Sequence, residues 1–488
     1  MSASCRKCCL TLFFVAALAA ATAANAGAIF YVSSEGEDSH DGKSPETAWK
    51  TLEKVNAAPL LPGDSVLFRR GDFWRGSLRP HNGEEGACIL YGAFGSGEKP
   101  GLLGSIPMDT PDLWQDTGHQ IWESRPPGAD KAGTLFPCDV GNIIFDQGRS
   151  CGVKVWEDRD LDRQGKFRYD PERHCVMLFS SKNPALQYAS IECALREHVI
   201  AQNNAHHVVY EDLAVRYGAA HGIGGANTHH ITVRRCDFSF IGGGDQSGGG
   251  KRVRFGNGVE FWANAHDNLV EQCRLWEIYD AALTNQNSGE RVQQFNLVYR
   301  YNVIWNCEYS FEYWNRPENS LTHDVCFENN TCVNAGAGWG HAQRPDPSGR
   351  HLCFYDSPAP AQNIVIRNNI FFEAAGNALY APTWSEKELK ALVMDYNCWF
   401  QHSGVMALLK PRNYTMPEFP AYQSERCQEQ HSITADPLFA DAAFHLPENS
   451  PCVDKGLGLG PGLDIEGRPV PQGPAADIGA LEFSLHKP

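Results

Sequence analysis

Short alternating β runs recur through the middle of the chain about every 20 to 40 residues, and no other feature constrains the fold as much. They are His207-Val-Val-Tyr-Glu-Asp212, Ile231-Thr-Val-Arg-Arg-Cys236, Asn268-Leu-Val-Glu-Gln-Cys273, Asn296-Leu-Val-Tyr-Arg-Tyr301, Asp324-Val-Cys-Phe-Glu-Asn329 and Asn363-Ile-Val-Ile-Arg-Asn368. Such self-similarity marks a solenoid in which each coil packs on its neighbours. The third residues, Val209, Val233, Val270, Val298, Cys326 and Val365, are expected to form one inward column over a continuous core. Asn302, Asn330 and Asn369 follow it at a bend, where their amides are expected to bond one another and the turn backbone.

A second set of runs follows the first: Gly258 to Trp262, Ala282 to Gln286, Ser310 to Trp314, His351 to Asp356 and Ala378 to Ala381. Two strands per coil, with Gly- and Asn-rich corners, make a helix of sheets. The GH…WD spacing of a propeller is missing. Two coils are longer, through insertions at Ile241 to Phe255 and Ala335 to Arg350, and insertions in solenoids gather on the working face.

The N-terminus orders Arg6 and Lys7, an apolar run from Leu10 to Ala20, and Ala24-Asn25-Ala26, the layout of a secretory signal peptide cut after Ala26. A secreted or periplasmic protein is expected, with no membrane span after cleavage, since no later segment approaches the roughly 20 apolar residues a span needs. The formal charge of −16 argues against a nucleic-acid partner. Of 17 cysteines, Cys5, Cys8 and Cys9 belong to the signal; most of the rest read as small buried hydrophobes, with a few bridges expected in an exported chain. The expected layout is a signal peptide over 1–26, an N-terminal cap and first coils over 27–102, a β-rich elaboration over 103–190, central coils with the site over 191–400, and C-terminal coils and cap over 401–488. Thr51 to Ala58 reads as a capped amphipathic helix that seals the apolar end of the solenoid.

The chain resembles the pectate-lyase-like right-handed parallel β-helix superfamily, in particular its exported β-helix repeat proteins. The resemblance rests on Phe30-Tyr-Val-Ser33, Asp41-Gly-Lys-Ser-Pro45 and Ala48-Trp-Lys-Thr-Leu52 at the start, and on Asn329-Asn330 and Asn368-Asn369 in the middle. At the end it rests on Asp436-Pro-Leu-Phe439, Ser450-Pro451, Asp454, Asp477-Ile-Gly-Ala480 and Glu482. It covers nearly the whole mature chain and implies an all-β solenoid acting on or binding a polysaccharide; a monomer is expected. These motifs specify a fold and leave the reaction open, because the superfamily holds lyases, hydrolases, epimerases and adhesins.

Strand parity suggests where chemistry sits. With Val259, Leu283, Phe311 and Cys353 inward, Glu260, Thr284 and Glu312 point outward, as do Trp262, Gln286, Trp314 and Asp356 two residues on. Glu260, Glu312 and Asp356 are the catalytic candidates, and Trp262, Trp314 and Gln286 are expected to bind sugar. Glu260 and Glu312, two coils apart, are expected to lie about 9 to 10 Å apart, near the upper end of the spacing an inverting glycosidase uses. The insertions add Asp245, Lys251, Arg252, Arg254, His341 and Arg344, with Asp346 and Arg350 beside them, a set that suits an anionic sugar.

Those cations also suit β-elimination on a uronate, in which calcium held by carboxylates is the candidate cofactor. A non-catalytic glycan binder is the third alternative. Asp280 and Glu308, at matching corners, read as corner hydrogen-bonders ahead of calcium ligands. The histidines at corners, His206-His207, His229-His230, His266 and His323, read as turn caps ahead of metal ligands, and His221 lies near the groove without a distinguishing mark.

Overall fold

The computed structural model describes residues 27–125, 135–246 and 252–484. The expected signal peptide and Lys251 lie outside the described residues. The chain winds into three stacked sheets. A ten-stranded parallel sheet runs from Ile29–Val32 through His206–Glu211, His229–Arg234, His266–Glu271, Gln293–Arg300, Leu321–Glu328 and Ala361–Arg367 to Leu392–Asp395. A nine-stranded sheet contains Ala214–Arg216, Asp237–Ile241, Arg274–Ile278, Val303–Trp305 and Thr331–Ala335. A second nine-stranded sheet contains Val259–Trp262, Ala281–Asn287, Tyr309–Asn315, Arg350–Phe354 and Leu379–Ala381. This is a parallel β-helix with three strands per coil, where the sequence suggested two. The extra strands are only three to five residues long and follow the first set across a bend of two residues, so the two merge into one apparent run.

The expected inward column mixes two registers. Val233 and Val270 pair with each other and are buried, but Val270 then pairs with Tyr299, Tyr299 with Phe327, and Phe327 with Ile366, all in the core. Val298, Cys326 and Val365 form the neighbouring outward column with Leu269, and Val209 is outward as well. The two Asn-Leu-Val triplets caused the slip. Asn268 aligns with Leu297, and it is a buried amide that bonds the Ile231 N–H at 3.0 Å. Asn296 instead occupies a left-handed turn at φ 51°. A shift of one residue exchanges the faces of a strand.

The asparagine bend is as expected and longer by one rung. Asn302 donates to Asn330 Oδ1, Asn330 to Asn369 Oδ1 and Asn369 to Asn397 Oδ1, at 3.0, 3.0 and 3.1 Å. Each acceptor oxygen also takes the backbone N–H of the preceding rung's asparagine at 2.9 to 3.0 Å. All four residues are fully buried, so the ladder supplies partners that water cannot.

Near the start, Leu52–Ala57 is helical, with Thr51 Oγ1 accepting the Lys54 N–H, and Leu52 and Val55 join the main core. No cysteine among the described residues is bridged, and most are buried as small apolar side chains. The 103–190 stretch contributes to a four-stranded and a five-stranded sheet, largely antiparallel, around a separate core that includes Met108, Phe136, Phe145 and Phe167. Gln343 ties this elaboration to both insertions, accepting from the Lys154 N–H and from Arg254 Nη1 and donating to the Gly152 carbonyl.

Candidate active site

The third sheet sets two rows of outward side chains side by side. In one, Glu260, Thr284, Glu312 and Cys353 are in register; in the next, Trp262, Gln286 and Trp314. Inward Phe261, Tyr313 and Phe354 anchor the same strands in the core. With the two insertions, these rows bound a cleft of about 610 Å³ lined by His221, Asn257, Glu260, Trp262, Tyr279, Asp280, Gln286, Glu312, Trp314, Arg316, Arg344 and Tyr355, among others. Thr284, small and turned to donate to the Glu312 carbonyl at 2.8 Å, leaves the space between the two glutamates open. The indoles of Trp262 and Trp314 come to 5.7 Å between centroids at 42°. Their strands are about 9.6 Å apart, so the rings lean together over Gln286.

Glu260 and Glu312 are both buried and are differently supported. Glu260 accepts from Asn257 Nδ2 at 2.9 Å and contacts His221 Nε2 at 3.1 Å. His221 Nδ1 accepts the Asn257 backbone N–H at 2.9 Å, which places the ring hydrogen on Nε2, toward Glu260. Burial, with His198 stacked against it at 4.9 Å, pushes the His221 pKa well below its ordinary value. The contact is therefore a hydrogen bond from a neutral imidazole. Burial raises the Glu260 pKa to about 7, with the charge of Asp280 adding and Asn257 opposing.

Glu312 has no such support. Its Oε2 is buried without a hydrogen-bond partner, and burial, then the charges of Asp280 and Glu260, raise its pKa well above the usual carboxylate value against the pull of Arg344. Asp280 is raised too, by burial and then Glu308, while Arg344 opposes by an ion pair at 3.3 Å. Glu308 organises the second insertion. It takes the N–H groups of Ser348 and Gly349 at 2.8 and 3.0 Å and meets His341 Nδ1 at 2.9 Å, and these contacts outweigh burial and lower its pKa.

The pH dependence of stability tests this burial independently of activity. A carboxyl raised from 4.5 to about 7 binds its proton more tightly in the folded chain. Its contribution is full below the unfolded value and is lost as pH rises through about 7, amounting to about 3 kcal/mol. Glu260→Gln, permanently neutral, is expected to lose less stability than the wild type between pH 5 and pH 8 in chemical unfolding. Equal losses in the two proteins would place Glu260 in water.

The structure brings Glu260, Glu312, Trp262, Trp314, Gln286, Arg254 and Arg344 to one cleft and sends Asp245, Arg252, His341 and Asp356 elsewhere. Cys353 lies in the outward row with Glu312, and Leu352 takes the core position. Two residues on, the side chain lining the cleft is therefore Tyr355, while Asp356 is exposed outside it. Arg254 is a structural staple. Its guanidinium donates to the Gly243 and Gly141 carbonyls and to Gln343, and it lies over Tyr279 at 4.6 Å. Arg252 pairs with Glu157 and, with Asp245, lines a different cavity around Lys154 and Trp156. His341 is held by Glu308. The fully buried Lys154, bonded to Asp139 and the Val140 carbonyl, fixes that neighbouring wall.

Sequence reasoning gave His221 no role and did not consider Asn257, and it left Asp280 at a corner. His221 and Asn257 each stand two residues ahead of the paired Ile223 and Val259, a shared position that repeat alignment could have exposed, and Asp280 stands one place earlier in the next coil, directly before the strand at Ala281.

The class defined by fold and cleft is a parallel β-helix with an acidic, indole-lined groove. No protein-family model matches the chain. Over 85 residues it is 36% identical to a lacto-N-biosidase of Bifidobacterium longum subsp. longum, a match that spans 16% of this chain and 5% of that protein. Among solved structures, a pectate lyase, Pel9A, overlaps 93% of this chain and 96% of its own, with a TM-score of 0.44 and 13% identity. A glycoside hydrolase overlaps 78% and 95%, with a TM-score of 0.42 and 11% identity. A GH136 lacto-N-biosidase from Eubacterium ramulus overlaps 84% and 67%, with a TM-score of 0.37 and 13% identity.

Proposed function

We propose that the protein is an exported glycoside hydrolase that cleaves a glycan by acid–base catalysis at the Glu260–Glu312 pair. The observation that carries this reading is the contrast between two buried carboxyls facing one open gap. Glu312, unpartnered, keeps its proton and is suited to protonate the leaving oxygen. Glu260, held by Asn257 and neutral His221 with a pKa of about 7, is suited to take a proton from water near neutral pH. The separation of their strands, about 9.6 Å, lies at the upper end of the carboxyl spacing of an inverting pair, about 6.5 to 9.5 Å. Trp262 and Trp314 offer faces for sugar rings, and Asp280 with Arg344 supplies fixed charge between the two carboxyls and the second insertion.

The tied arginines support hydrolysis over elimination. Of the cations suited to abstract a proton beside a uronate carboxyl, Arg252 and Arg254 are engaged by Glu157 and by Gly243, Gly141 and Gln343, and Lys251 lies outside the described residues. A groove floored by carboxyls, with Arg254 and Arg344 tied down and Arg316 lying over the Trp314 ring, fits a neutral glycan better than an anionic one. The test is incubation of the purified protein with neutral, uronate and sulfated glycans, following reducing ends, the ultraviolet absorbance of unsaturated uronates and the anomer first released. New reducing ends of inverted configuration from a neutral glycan are expected. Unsaturated products would overturn the reading in favour of elimination, and binding without product would leave a glycan-binding protein.

A further inference from the structure

Away from the cleft, three neighbouring strands of the ten-stranded sheet begin with matching pairs: His206-His207, His229-His230 and His266-Asp267, with His206 opposite His229 and His229 opposite His266. In a regular strand the two members of each pair would point to opposite faces. Here His207, His230 and Asp267 adopt left-handed φ of 54°, 55° and 53°, which swings each side chain beside its predecessor. Two columns of rings result. His206, His229 and His266 stack at 4.9 Å per step, and His207 stacks on His230 at 4.5 Å. The Nδ1 atoms face across the columns, 3.2 Å apart in the first pair and 3.0 Å in the second. The strand-start capping expected for these histidines is therefore not their main arrangement.

We infer that this corner binds a first-row divalent transition metal, with zinc as the reference ion, through His207, His229 and His230, and with His266 and Asp267 as adjoining ligands. The ligand atoms of His207, His229 and His230 lie within 4.8 Å of one another, and so do those of His230, His266 and Asp267. Two nitrogens on one tetrahedral zinc, at bonds of about 2.0 to 2.1 Å, sit about 3.3 Å apart, close to the spacing of the facing Nδ1 atoms. An imidazole-rich set selects zinc, copper or nickel over calcium or magnesium. Facing neutral rings can share a single hydrogen, whereas a cation satisfies both nitrogens. Stacking alone does not require the nitrogens to converge. His230 is exposed and the other four are half-buried, so an ion reaches them from solvent. Glu84 and Glu85, exposed on a nearby loop, add negative charge toward His207. A bound ion would tie three successive coils at one corner.

The test uses the full chain, purified without a histidine tag and stripped with EDTA, titrated calorimetrically with zinc chloride and, separately, with cobalt(II) followed by visible absorption. Saturable zinc binding at micromolar concentration or below is expected, with the d–d bands of nitrogen-bound tetrahedral cobalt and a rise in melting temperature that EDTA reverses. His230→Ala, at an exposed ring, is expected to weaken zinc binding at least about tenfold while leaving the melting temperature in EDTA unchanged; His207→Ala serves as the second variant. Zinc uptake only at millimolar concentration, or undiminished binding in both variants, would overturn the inference. No substrate enters this measurement, so its outcome is independent of the cleft's activity.

Discussion

Glu312→Gln is expected to lower kcat on a natural glycan by about 10²- to 10⁴-fold with the fold retained. The glutamine fills the same volume in a pocket that already favours a neutral group, since Glu312 Oε2 is buried without a partner and its proton is held by burial and by Asp280 and Glu260. What the variant loses is a transferable proton. Two readouts separate this from a packing defect. An aryl glycoside with an acidic leaving group needs little protonation, so its turnover is expected to fall far less than that of the natural substrate. The wild-type kcat/KM is expected to drop below pH of about 7, as Glu260 takes up a proton and ceases to be a base, and to drop again at higher pH as Glu312 loses its own. In Glu312→Gln the alkaline limb disappears. Equal losses on both substrates with the profile unchanged would sink the acid role.

Asn330→Leu is expected to cost at least about 3 kcal/mol of stability, because unpaired buried groups each cost about 1 to 3 kcal/mol. Asn330 Oδ1 serves both the Asn302 backbone N–H and the Asn302 amide, and its Nδ2 serves the Tyr299 carbonyl and Asn369 Oδ1. Leucine, close in size, supplies none of these. Each coil leans on its neighbours, so a broken rung also uncouples the coils on either side. A large fall in melting temperature at a fixed scan rate checks this, and a fall of only a degree or two would make the ladder a passenger of the fold.

The sequence by itself determined the coil repeat, the asparagine ladder and the outward alternation that sets Glu260 and Glu312 on one face. Each is a periodic property of short segments, and period survives without coordinates. The tertiary structure decided whatever depends on register between coils. It moved Val298, Cys326 and Val365 outward, and it replaced Asp356 by Tyr355 through a shift of one residue at Leu352 and Cys353. It also decided which charges are free. Arg252 and Arg254 carry the same charge in any listing of the sequence, but Glu157, Gly141, Gly243 and Gln343 lie from 11 to 113 residues away from them. His221 and Asp280 reach Glu260 and Glu312 only because successive coils stack strand on strand, while Asn257 meets Glu260 from three residues away, and burial in the resulting cleft, which no local pattern encodes, separates the protonation of the two glutamates.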